Sequence, residues 1–256
     1  MKVVILCGGL GTRLSEETVV KPKPMVEIGD RPILWHVMKI YSYYGFKDFV
    51  LALGYKGEII KRFFIDYNLM TNDVTAYLGK GKVEYTNNGA EDWTVSMLNT
   101  GRESLTGGRL RRLEGMLRPD GRFMLTYGDG VSNINIRELI RFHEKSGKVA
   151  TVTAVRPPAR FGGMAIDGDV VIDFKEKPQI GEGWINGGFF VFEPEIFDYL
   201  HGDMTVLEGD PMENLVKDGQ LAAYRHTGFW HCMDTLRDKT ALETMWIKGK
   251  AGWKVW

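Results

Sequence analysis

The chain has 256 residues, of which 44% are hydrophobic, and this is enough apolar material for the core of one domain, or of one domain with an appendage. Its 33 basic and 33 acidic residues cancel, which argues against a nucleic-acid-binding protein, because such proteins usually carry a basic excess or stripe. The two cysteines, Cys7 and Cys232, are too few for a disulfide framework and favour a reduced, cytoplasmic setting.

The first part of the chain alternates strand and helix patterns. The opening run Val3–Cys7 indicates a buried strand and is too short for a signal peptide. No apolar run reaches the roughly 18 residues of a membrane span, so no membrane partner is expected. The next predicted elements are a helix with Pro32 at its start and Ile33, Leu34, Val37, Met38 and Tyr41 on one face, strand Phe49–Leu53, helix Ile59–Tyr67, strand Phe123–Tyr127, a helix with Ile136, Leu139, Ile140 and His143 on one face, and strand Ala150–Ala154.

Two other regions break this rhythm. Between residues 71 and 95, the turn sequence 87–89 predicts a small hairpin that pairs Val83–Tyr85 with Thr94–Leu98. After Gly163, short strands follow that we expect to be antiparallel additions beside the main sheet. These strands are Met164–Ile166, Val170–Phe174 and Ile185–Phe192.

The chain closes with a predicted helix, Leu236–Lys248, and an aromatic tail, Trp253–Trp256. The tail is too apolar for a free end, so we expect it to dock, with a second subunit as one place for it. The aromatic content implies more apolar surface than one domain hides, which predicts a homo-oligomer.

Strands that alternate with helices imply a parallel sheet with right-handed crossovers. The sequence therefore predicts an α/β fold: a Rossmann-like, mixed but mostly parallel sheet that is flanked by helices and has small antiparallel additions.

A glycine-rich loop, Gly8–Arg13, follows the first strand at its carboxyl end, where open α/β sheets bind ligands. Glycines let backbone N–H groups approach phosphate oxygens. A dinucleotide fingerprint would need glycine or alanine at Leu14, and a Walker loop would need Gly-Lys-Ser/Thr, which does not occur. A plain tight turn is the alternative for this loop.

The segment Lys21–Met25 reads Lys-Pro-Lys-Pro-Met. Its prolines stiffen the chain and forbid a helix, so they hold Lys23 on a rigid arm. A solvated linker is the alternative. Because Arg13 and Lys23 bracket one loop beside the glycines, the pattern favours a polyphosphate ligand.

Gly8–Leu14 followed by Lys21–Met25 resembles the signature of the sugar nucleotidyltransferases, and the chain is most similar to the glucose-1-phosphate cytidylyltransferases. Glu16 stands where the wider superfamily usually has proline, and Cys232 stands where proline is expected. Further matching blocks run in order along the chain: Leu14–Thr18, Pro32–His36, Thr106–Leu110, Thr126–Gly130, Glu176–Pro178, Ile185–Phe190, Gly228–Trp230 and Met233–Thr235.

This resemblance implies a nucleotide-diphospho-sugar transferase fold and a Mg²⁺-dependent reaction of CTP with glucose 1-phosphate that gives CDP-glucose and pyrophosphate. It also implies a place in nucleotide-sugar biosynthesis, such as that for lipopolysaccharide O-antigen. The whole chain would be a single domain, with a nucleotide-binding part at roughly 1–130, a sugar-phosphate-binding part at roughly 131–235, and a C-terminal helix and tail at 236–256.

By the same resemblance, Arg13, Lys23 and Asp129 would be catalytic, and Asp129 and Asp234 would hold Mg²⁺. Two carboxylates with phosphate oxygens and waters suit an octahedral magnesium site. From residue type alone, Asp129 could instead form a turn, and Asp234 could cap the last helix.

The remaining implied contacts are with the nucleotide and the sugar phosphate. Arg109 could prefer cytosine, because a guanidinium only donates and cytosine presents acceptors at O2 and N3; a surface arginine is the alternative. The expected nucleotide-binding residues are Leu6, Cys7, Gly8, Gly9, Leu10, Gly11, Thr12, Arg13, Lys23, Ser104, Arg109 and Gly128. The expected sugar-phosphate-binding residues are Tyr127, Glu176, Lys177, Asn186 and Gly187.

Three alternatives stay open at this point. The first is the same reaction with UTP or dTTP, against which Trp35-His36 and Thr106–Arg109 argue. The second is a non-catalytic sensor of sugar nucleotides, which loss of Arg13, Lys23, Asp129 or Asp234 would favour; all four are present. The third is a hexapeptide-repeat enzyme, but no such repeat follows residue 192.

Overall fold

A mixed β-sheet forms the centre of the protein, whose computed structural model describes residues 1–86, 89–157, 163–167, 170–175 and 183–256. The strands are β1 (Val3–Cys7), β2 (Glu27–Ile28), β3 (Arg31–Pro32), β4 (Asp48–Leu53), β5 (Asp73–Tyr77), β6 (Lys82–Thr86), β7 (Thr94–Asn99), β8 (Phe123–Tyr127), β9 (Gly130–Ser132), β10 (Ala150–Val155), β11 (Gly163–Asp167), β12 (Val170–Lys175), β13 (Ile185–Asn186), β14 (Phe190–Phe192), β15 (Leu221–His226) and β16 (Trp230–Cys232).

The central sheet has the order β13-β10-β14-β8-β1-β4-β7, and β15 pairs with the other edge of β10. The strands β8, β1, β4 and β7 are parallel to one another. The short strands form separate pairs: β2 with β3, β5 with β6, β9 with β16, and β11 with β12.

Helices cover both faces of this sheet. They are α1 (Ser15–Thr18), α2 (Ile33–Tyr43), α3 (Gly57–Ile65), α4 (Tyr67–Thr71), α5 (Thr106–Arg111), α6 (Glu114–Leu117), α7 (Ile136–Ser146), α8 (Asp210–Lys217) and α9 (Leu236–Ile247). Within the described ranges, no helix combines the length and the apolar character that crossing a bilayer requires.

The alternation of side chains along β1 explains why the sheet has two cores. Val3 and Ile5 belong to a cluster with α2, α7 and α9, whereas Val4 and Leu6 belong to one with α5, α6 and α8. Every residue of β1 is buried. A strand covered on both faces reads as a continuous apolar run, and its carboxyl end then opens directly into the loop that begins at Gly8.

The predicted α/β class is confirmed, and so are the strands β1, β4, β8 and β10 and the helices α2, α7 and α9. The predicted helix Ile59–Tyr67 occurs as α3 and α4, which meet at Asp66. The predicted strands Met164–Ile166 and Val170–Phe174 occur as the antiparallel pair β11 and β12.

The hairpin predicted between Val83–Tyr85 and Thr94–Leu98 is wrong. β6 pairs with β5, while β7 pairs in parallel with β4 at the edge of the central sheet. Residues 87–88 of the supposed turn lie outside the described residues. The sheet pairing wins because it packs Val95 and Met97 against the core and satisfies the backbone groups along β4.

The predicted strand Ile185–Phe192 lies inside the central sheet, between β8 and β10, and not beside it. It is also broken into β13 and β14, because Gly188 and Phe189 have φ values of 74° and 49°. At the break, Gly187 N still donates to Thr153 O of β10 at 2.9 Å, and an added Cβ at Gly188 would lie 3.0 Å from the ring of Tyr127 at the end of β8. A further strand, β15, had no prediction; its residues are mostly half-buried or exposed, so its apolar pattern is weak.

The aromatic tail docks on its own chain. Trp253 is fully buried. Its ring stacks on Trp246 with centroids 6.2 Å apart and lies 5.7 Å from Phe229, and its Nε1 donates to His36 Nδ1 at 3.4 Å. The docking prediction was therefore right, but the site is intramolecular, so Trp253 gives no support for a second subunit.

The buried His36 should make stability depend on pH. Burial lowers the pKa of its imidazole from 6.5 to about 4, and the neutral ring fits between Ile28 O at 2.9 Å and the Trp253 N–H. The unfolded state therefore binds more protons between those values. We expect full stability above about pH 6.5 and a loss of ~2 kcal/mol by pH 5, continuing toward pH 4.

Urea denaturation at pH 7.5 and pH 5 measures this loss. His36→Gln, which does not titrate, is the comparison, because His143 and His226 also have lowered pKa values and add pH dependence of the same sign. If the wild type and His36→Gln lose the same free energy between the two pH values, His36 is not the cause.

Candidate active site

A cleft of about 380 Å³ opens at the carboxyl ends of β1 and β8. Its position follows from the parallel pairing of these strands, because their carboxyl ends meet at one edge of the sheet. The lining residues are Leu6, Cys7, Gly8, Gly9, Gly11, Thr12, Lys23, Pro24, Ser104, Leu105, Thr106, Arg109, Tyr127, Gly128 and Asp129.

The glycine-rich loop forms one wall of the cleft. Gly11 has a φ of 65°, and an added Cβ there would lie 2.8 Å from the methyl group of Thr18. The Thr18 hydroxyl donates to Gly11 O at 3.1 Å and is 3.0 Å from Leu14 O. Gly9 faces open space, so the loop backbone is accessible from the cleft.

Two residues that the sequence places in this loop differ from the rest. Leu10 is 53% exposed and does not line the cleft. Arg13 lies in a 3₁₀ turn, Thr12–Leu14, whose backbone the structure describes, but its side chain lies outside the described part. The predicted catalytic and nucleotide-binding role of Arg13 therefore stays a prediction.

Arg109 lies beneath the loop, with 4% of its surface exposed. Its two Nη atoms donate to five acceptors among the described residues. These acceptors are Leu53 O at 3.2 Å, Thr100 Oγ1 at 3.1 Å, Gly101 O at 2.6 Å, Gly8 O at 2.9 Å and Arg102 O at 3.1 Å. The guanidinium thus ties together the loops that follow β1, β4 and β7.

This position changes the interpretation of Arg109. An added Cβ at Gly8 would lie 2.1 Å from the guanidinium carbon, so Gly8 lets the arginine pass directly under the loop. To donate to both O2 and N3 of cytosine, the Nη groups would have to release bonds to the backbone. The geometry therefore favours Arg109 as a support of the base pocket over a direct reader of the base.

The second wall is the arm that carries Lys23. Pro22 is extended, with φ −68° and ψ 151°, and Lys23–Met25 is a single 3₁₀ turn. An added Cβ at Gly128 would lie 2.9 Å from Pro24, so this glycine lets the arm pack against the end of β8. The prolines and Gly128 together bring Lys23 next to Asp129.

Lys23 joins the two predicted metal ligands. Its Nζ lies 2.5 Å from Asp129 Oδ2 and 2.5 Å from Asp234 Oδ1. Burial lowers the pKa of this ammonium, but the two carboxylates outweigh that effect and hold the pKa above its ordinary value. Lys23 is therefore charged at neutral pH. It forms one small polar centre with Asp129 and Asp234, which lie 106 and 211 positions after it in the sequence.

Asp234 is not a helix cap. Thr235 is the N-cap of α9, with its side chain and that of Asp238 forming a capping box. Asp129 and Asp234 instead flank the ribbon of β9 and β16, and Met233 N donates to Asp129 O at 2.9 Å. This ribbon brings the two carboxylates together.

Cys232 keeps its place in that ribbon, opposite Gly130, although proline is expected there. Its Sγ lies 3.7 Å from Asp234 Oδ2. Burial, with the nearby carboxylate of Asp234, raises the pKa of the thiol to about 12. It is therefore a neutral thiol at physiological pH.

The donor set fits Mg²⁺. Asp129 and Asp234 converge on a single cationic nitrogen, and carboxylate oxygens are hard donors of the kind that Mg²⁺ prefers. In the described part of the chain, no cluster of three or more His, Cys, Asp or Glu residues could hold a metal ion. Two protein carboxylates would leave the remaining positions to phosphate oxygens and water.

The predicted sugar side is partly described. Tyr127 lines the cleft, and its hydroxyl accepts a hydrogen bond from Asn186 Nδ2 at 3.1 Å. Gly187 is buried, and its carbonyl accepts from Trp230 Nε1 at 2.8 Å. Glu176 and Lys177 lie outside the described residues, so their predicted contacts with the sugar phosphate are untested.

Sequence reasoning missed Glu208, Thr106 and Pro24. Pro24 and Thr106 line the cleft and sit beside residues that were identified. Glu208 contacts both Tyr127 and Thr106 but lies 81 residues beyond Tyr127, and an exposed glutamate in a loop gives no sequence signal.

Comparison with known proteins agrees with this geometry. Residues 2–235 match the family model for nucleotidyl transferases. The chain is 51% identical over 256 residues to a glucose-1-phosphate cytidylyltransferase of Salmonella typhi, with all of both chains covered. It is 47% identical over 257 residues, again with full coverage of both, to a Bacillus subtilis protein named "probable glucose-1-phosphate cytidylyltransferase".

Among solved structures, a UDP-glucose pyrophosphorylase in complex with UDP-glucose superposes with a TM-score of 0.69 at 16% identity, covering 97% of this chain and 98% of that one. This match shows a shared fold.

Proposed function

Because this chain belongs to the nucleotidyl transferase family, and within it to the glucose-1-phosphate cytidylyltransferases, we propose that it transfers the cytidylyl group of CTP to α-D-glucose 1-phosphate, giving CDP-glucose and pyrophosphate. The observation that carries the proposal is the 51% identity over the entire length of the Salmonella typhi enzyme. The product is a nucleotide sugar, of the kind used in lipopolysaccharide O-antigen biosynthesis.

The reaction needs charge neutralisation more than proton transfer. A phosphate monoester has a second pKa of about 6, so the attacking oxygen of the sugar phosphate is already ionised at neutral pH. That oxygen forms a bond to the α-phosphorus of CTP while the bond from the α-phosphorus to the bridging oxygen breaks, and pyrophosphate leaves with the electron pair. Two polyanions must meet, so positioning and electrostatics dominate the catalysis.

The described residues supply these two effects. Gly9, Gly11 and Thr12 line the cleft, where backbone N–H groups can donate to the triphosphate. Lys23 places its charge beside Asp129, at the end of β8, where the α-phosphate would meet the sugar phosphate. Asp129 and Asp234 would hold Mg²⁺, which supplies further positive charge to the phosphates when bound.

The two ends of the cleft suit the two substrates. We assign the nucleotide to the part of the chain at roughly 1–130 and the sugar phosphate to roughly 131–235, because Ser104 and Arg109 line the cleft with the glycine-rich loop, whereas Asn186 contacts Tyr127 at the end of β8. A cytoplasmic location fits two cysteines that are both free thiols.

The proposed reaction predicts a preference among the nucleoside triphosphates. With glucose 1-phosphate and Mg²⁺, we expect pyrophosphate release to be fastest with CTP and at least about tenfold slower with UTP, since uracil carries a donor at N3 where cytosine has an acceptor. A coupled pyrophosphate assay over the nucleoside triphosphates, with and without excess chelator, measures both points. Equal rates with all triphosphates, or full activity in chelator, would contradict the proposal.

We also propose that the chain forms a homo-oligomer. This proposal rests on apolar side chains exposed on α4 and on the β5–β6 hairpin, which together would form an unusually apolar surface for a monomer. These side chains are Leu69, Met70, Val74, Tyr77, Leu78, Val83 and Tyr85. Light scattering should give a multiple of 29.0 kDa, and Leu78→Glu with Val83→Glu should lower it. A strict monomer at micromolar concentration would refute this.

A further inference from the structure

The carboxylate of Glu208 connects two residues that line the cleft, Tyr127 and Thr106. It lies in the segment that leads into α8, on the exposed surface. One oxygen, Oε1, accepts the hydroxyl proton of Tyr127 at the end of β8. The other, Oε2, lies 2.6 Å from Thr106 Oγ1 at the start of α5. The Glu208 side chain thus links the end of β8 to the start of α5.

These contacts fix the direction of a chain of hydrogen bonds. A carboxylate only accepts, and a phenol has one proton to donate, so the Tyr127 hydroxyl donates to Glu208 and must accept from Asn186 Nδ2, 3.1 Å away. The Asn186 Oδ1 accepts from Gly188 N at 2.8 Å, which sets the orientation of the amide. Glu208 thereby determines how Tyr127 and Asn186 face the cleft.

The same carboxylate supports the first turn of α5, beside residues that are expected to bind the nucleotide. Thr106 donates to Glu208 and accepts from Leu207 N at 2.9 Å, so this short segment holds the first turn of α5. That turn lies between Ser104 and Arg109, both of which line the cleft. The carboxylate is negative, so it would repel phosphates but would suit a neighbour rich in hydroxyl groups.

We propose that Glu208 is a positioning residue for the hexose of the sugar phosphate, holding Tyr127 and Asn186 in the orientation that receives the sugar hydroxyls. This inference rests on the proposed function and adds to it a residue that no sequence pattern indicated.

Glu208→Gln tests the role with little change in shape. Tyr127 and Thr106 each contact a different oxygen of Glu208, and a glutamine keeps only one of these oxygens, so one hydroxyl faces an amide N–H group in place of its acceptor. We expect the KM for glucose 1-phosphate to rise about tenfold, the scale of one hydrogen bond to a charged group, while the KM for CTP changes less than about twofold. Glu213→Gln, an exposed glutamate on α8, is the matched control.

A double-mutant cycle separates positioning from general support of the fold. If Glu208 acts through the Tyr127 hydroxyl, then Glu208→Gln should add little to the KM of Tyr127→Phe. Independent, multiplying effects, or an equal rise in both KM values with a lowered Tm, would overturn the proposal. So would an unchanged KM for glucose 1-phosphate.

Binding measured without turnover distinguishes a failure of the role of Glu208 from a failure of the proposed reaction. Calorimetric titration of glucose 1-phosphate into the wild type and Glu208→Gln compares binding without turnover. A wild type that binds glucose 1-phosphate but does not use CTP would refute the proposed reaction, and the weaker binding expected of the variant would still hold. Equal binding by both proteins would refute the role of Glu208.

Discussion

Asp129→Asn and Asp234→Asn should each lower kcat/KM with CTP and glucose 1-phosphate by at least about a hundredfold, the scale of losing one preorganised electrostatic contact. Each substitution keeps the shape of the side chain and removes the charge that would hold Mg²⁺. It also removes one of the two anionic partners of Lys23, 2.5 Å away. Pyrophosphate release measured over a range of Mg²⁺ concentrations tests this prediction.

The control for charge loss is Asp92→Asn, an exposed aspartate that pairs with Lys47 on the surface. It should keep wild-type turnover. Circular dichroism and the Tm of each variant show whether the fold is retained, since Asp129 and Asp234 also lie beside the β9–β16 ribbon. A folded variant of either residue with near-native rates would show that its carboxylate does not take part.

The second large effect is expected for Lys23→Met, which should lower turnover but raise the affinity for a divalent cation. Turnover should fall by about a hundredfold or more, because the charge beside the α-phosphate is lost. The affinity of the nucleotide-free protein for a divalent cation should rise, because the Lys23 ammonium neutralises the same two carboxylates that the metal requires. The substitution takes away a positive charge that contacts both carboxylates, which strengthens the attraction of the pair for another cation.

Mn²⁺ alone, followed by electron paramagnetic resonance, measures this affinity without any turnover. Lys21→Met is the matched control, because Lys21 lies on the same arm but pairs with Glu27, 3.1 Å away. We expect Lys21→Met to bind Mn²⁺ as the wild type does. Weaker or unchanged Mn²⁺ binding by Lys23→Met would show that the ammonium does not compete for the metal position.

Much of the fold and part of the site could be predicted from local sequence. The uninterrupted apolar run Val3–Cys7 required a strand buried on both faces, and the helical spacing around Ile33 required an amphipathic helix. The glycines after β1 and the prolines around Lys23 restrict the backbone within a few residues. These features are local, so they can be read without knowing what packs against them.

Long-range pairing could not be read in this way. Thr94–Asn99 looked like one arm of a hairpin, but the free edge of β4 takes it as a parallel partner. Ile185–Phe192 looked peripheral, yet it fills the gap between β8 and β10. A short apolar strand carries no mark of which edge it will join, because backbone hydrogen bonds are the same at every edge.

The roles of single polar side chains depended on the tertiary structure for the same reason. Arg109 resembled a reader of the base, and only the fold shows that its Nη groups are taken up by carbonyls and a hydroxyl from three loops. Glu208 gave no signal until the fold placed it against Tyr127. The residue type of a charged side chain sets what it can donate or accept, but its partners are decided by which distant segments the packed core brings within about 3 Å of it.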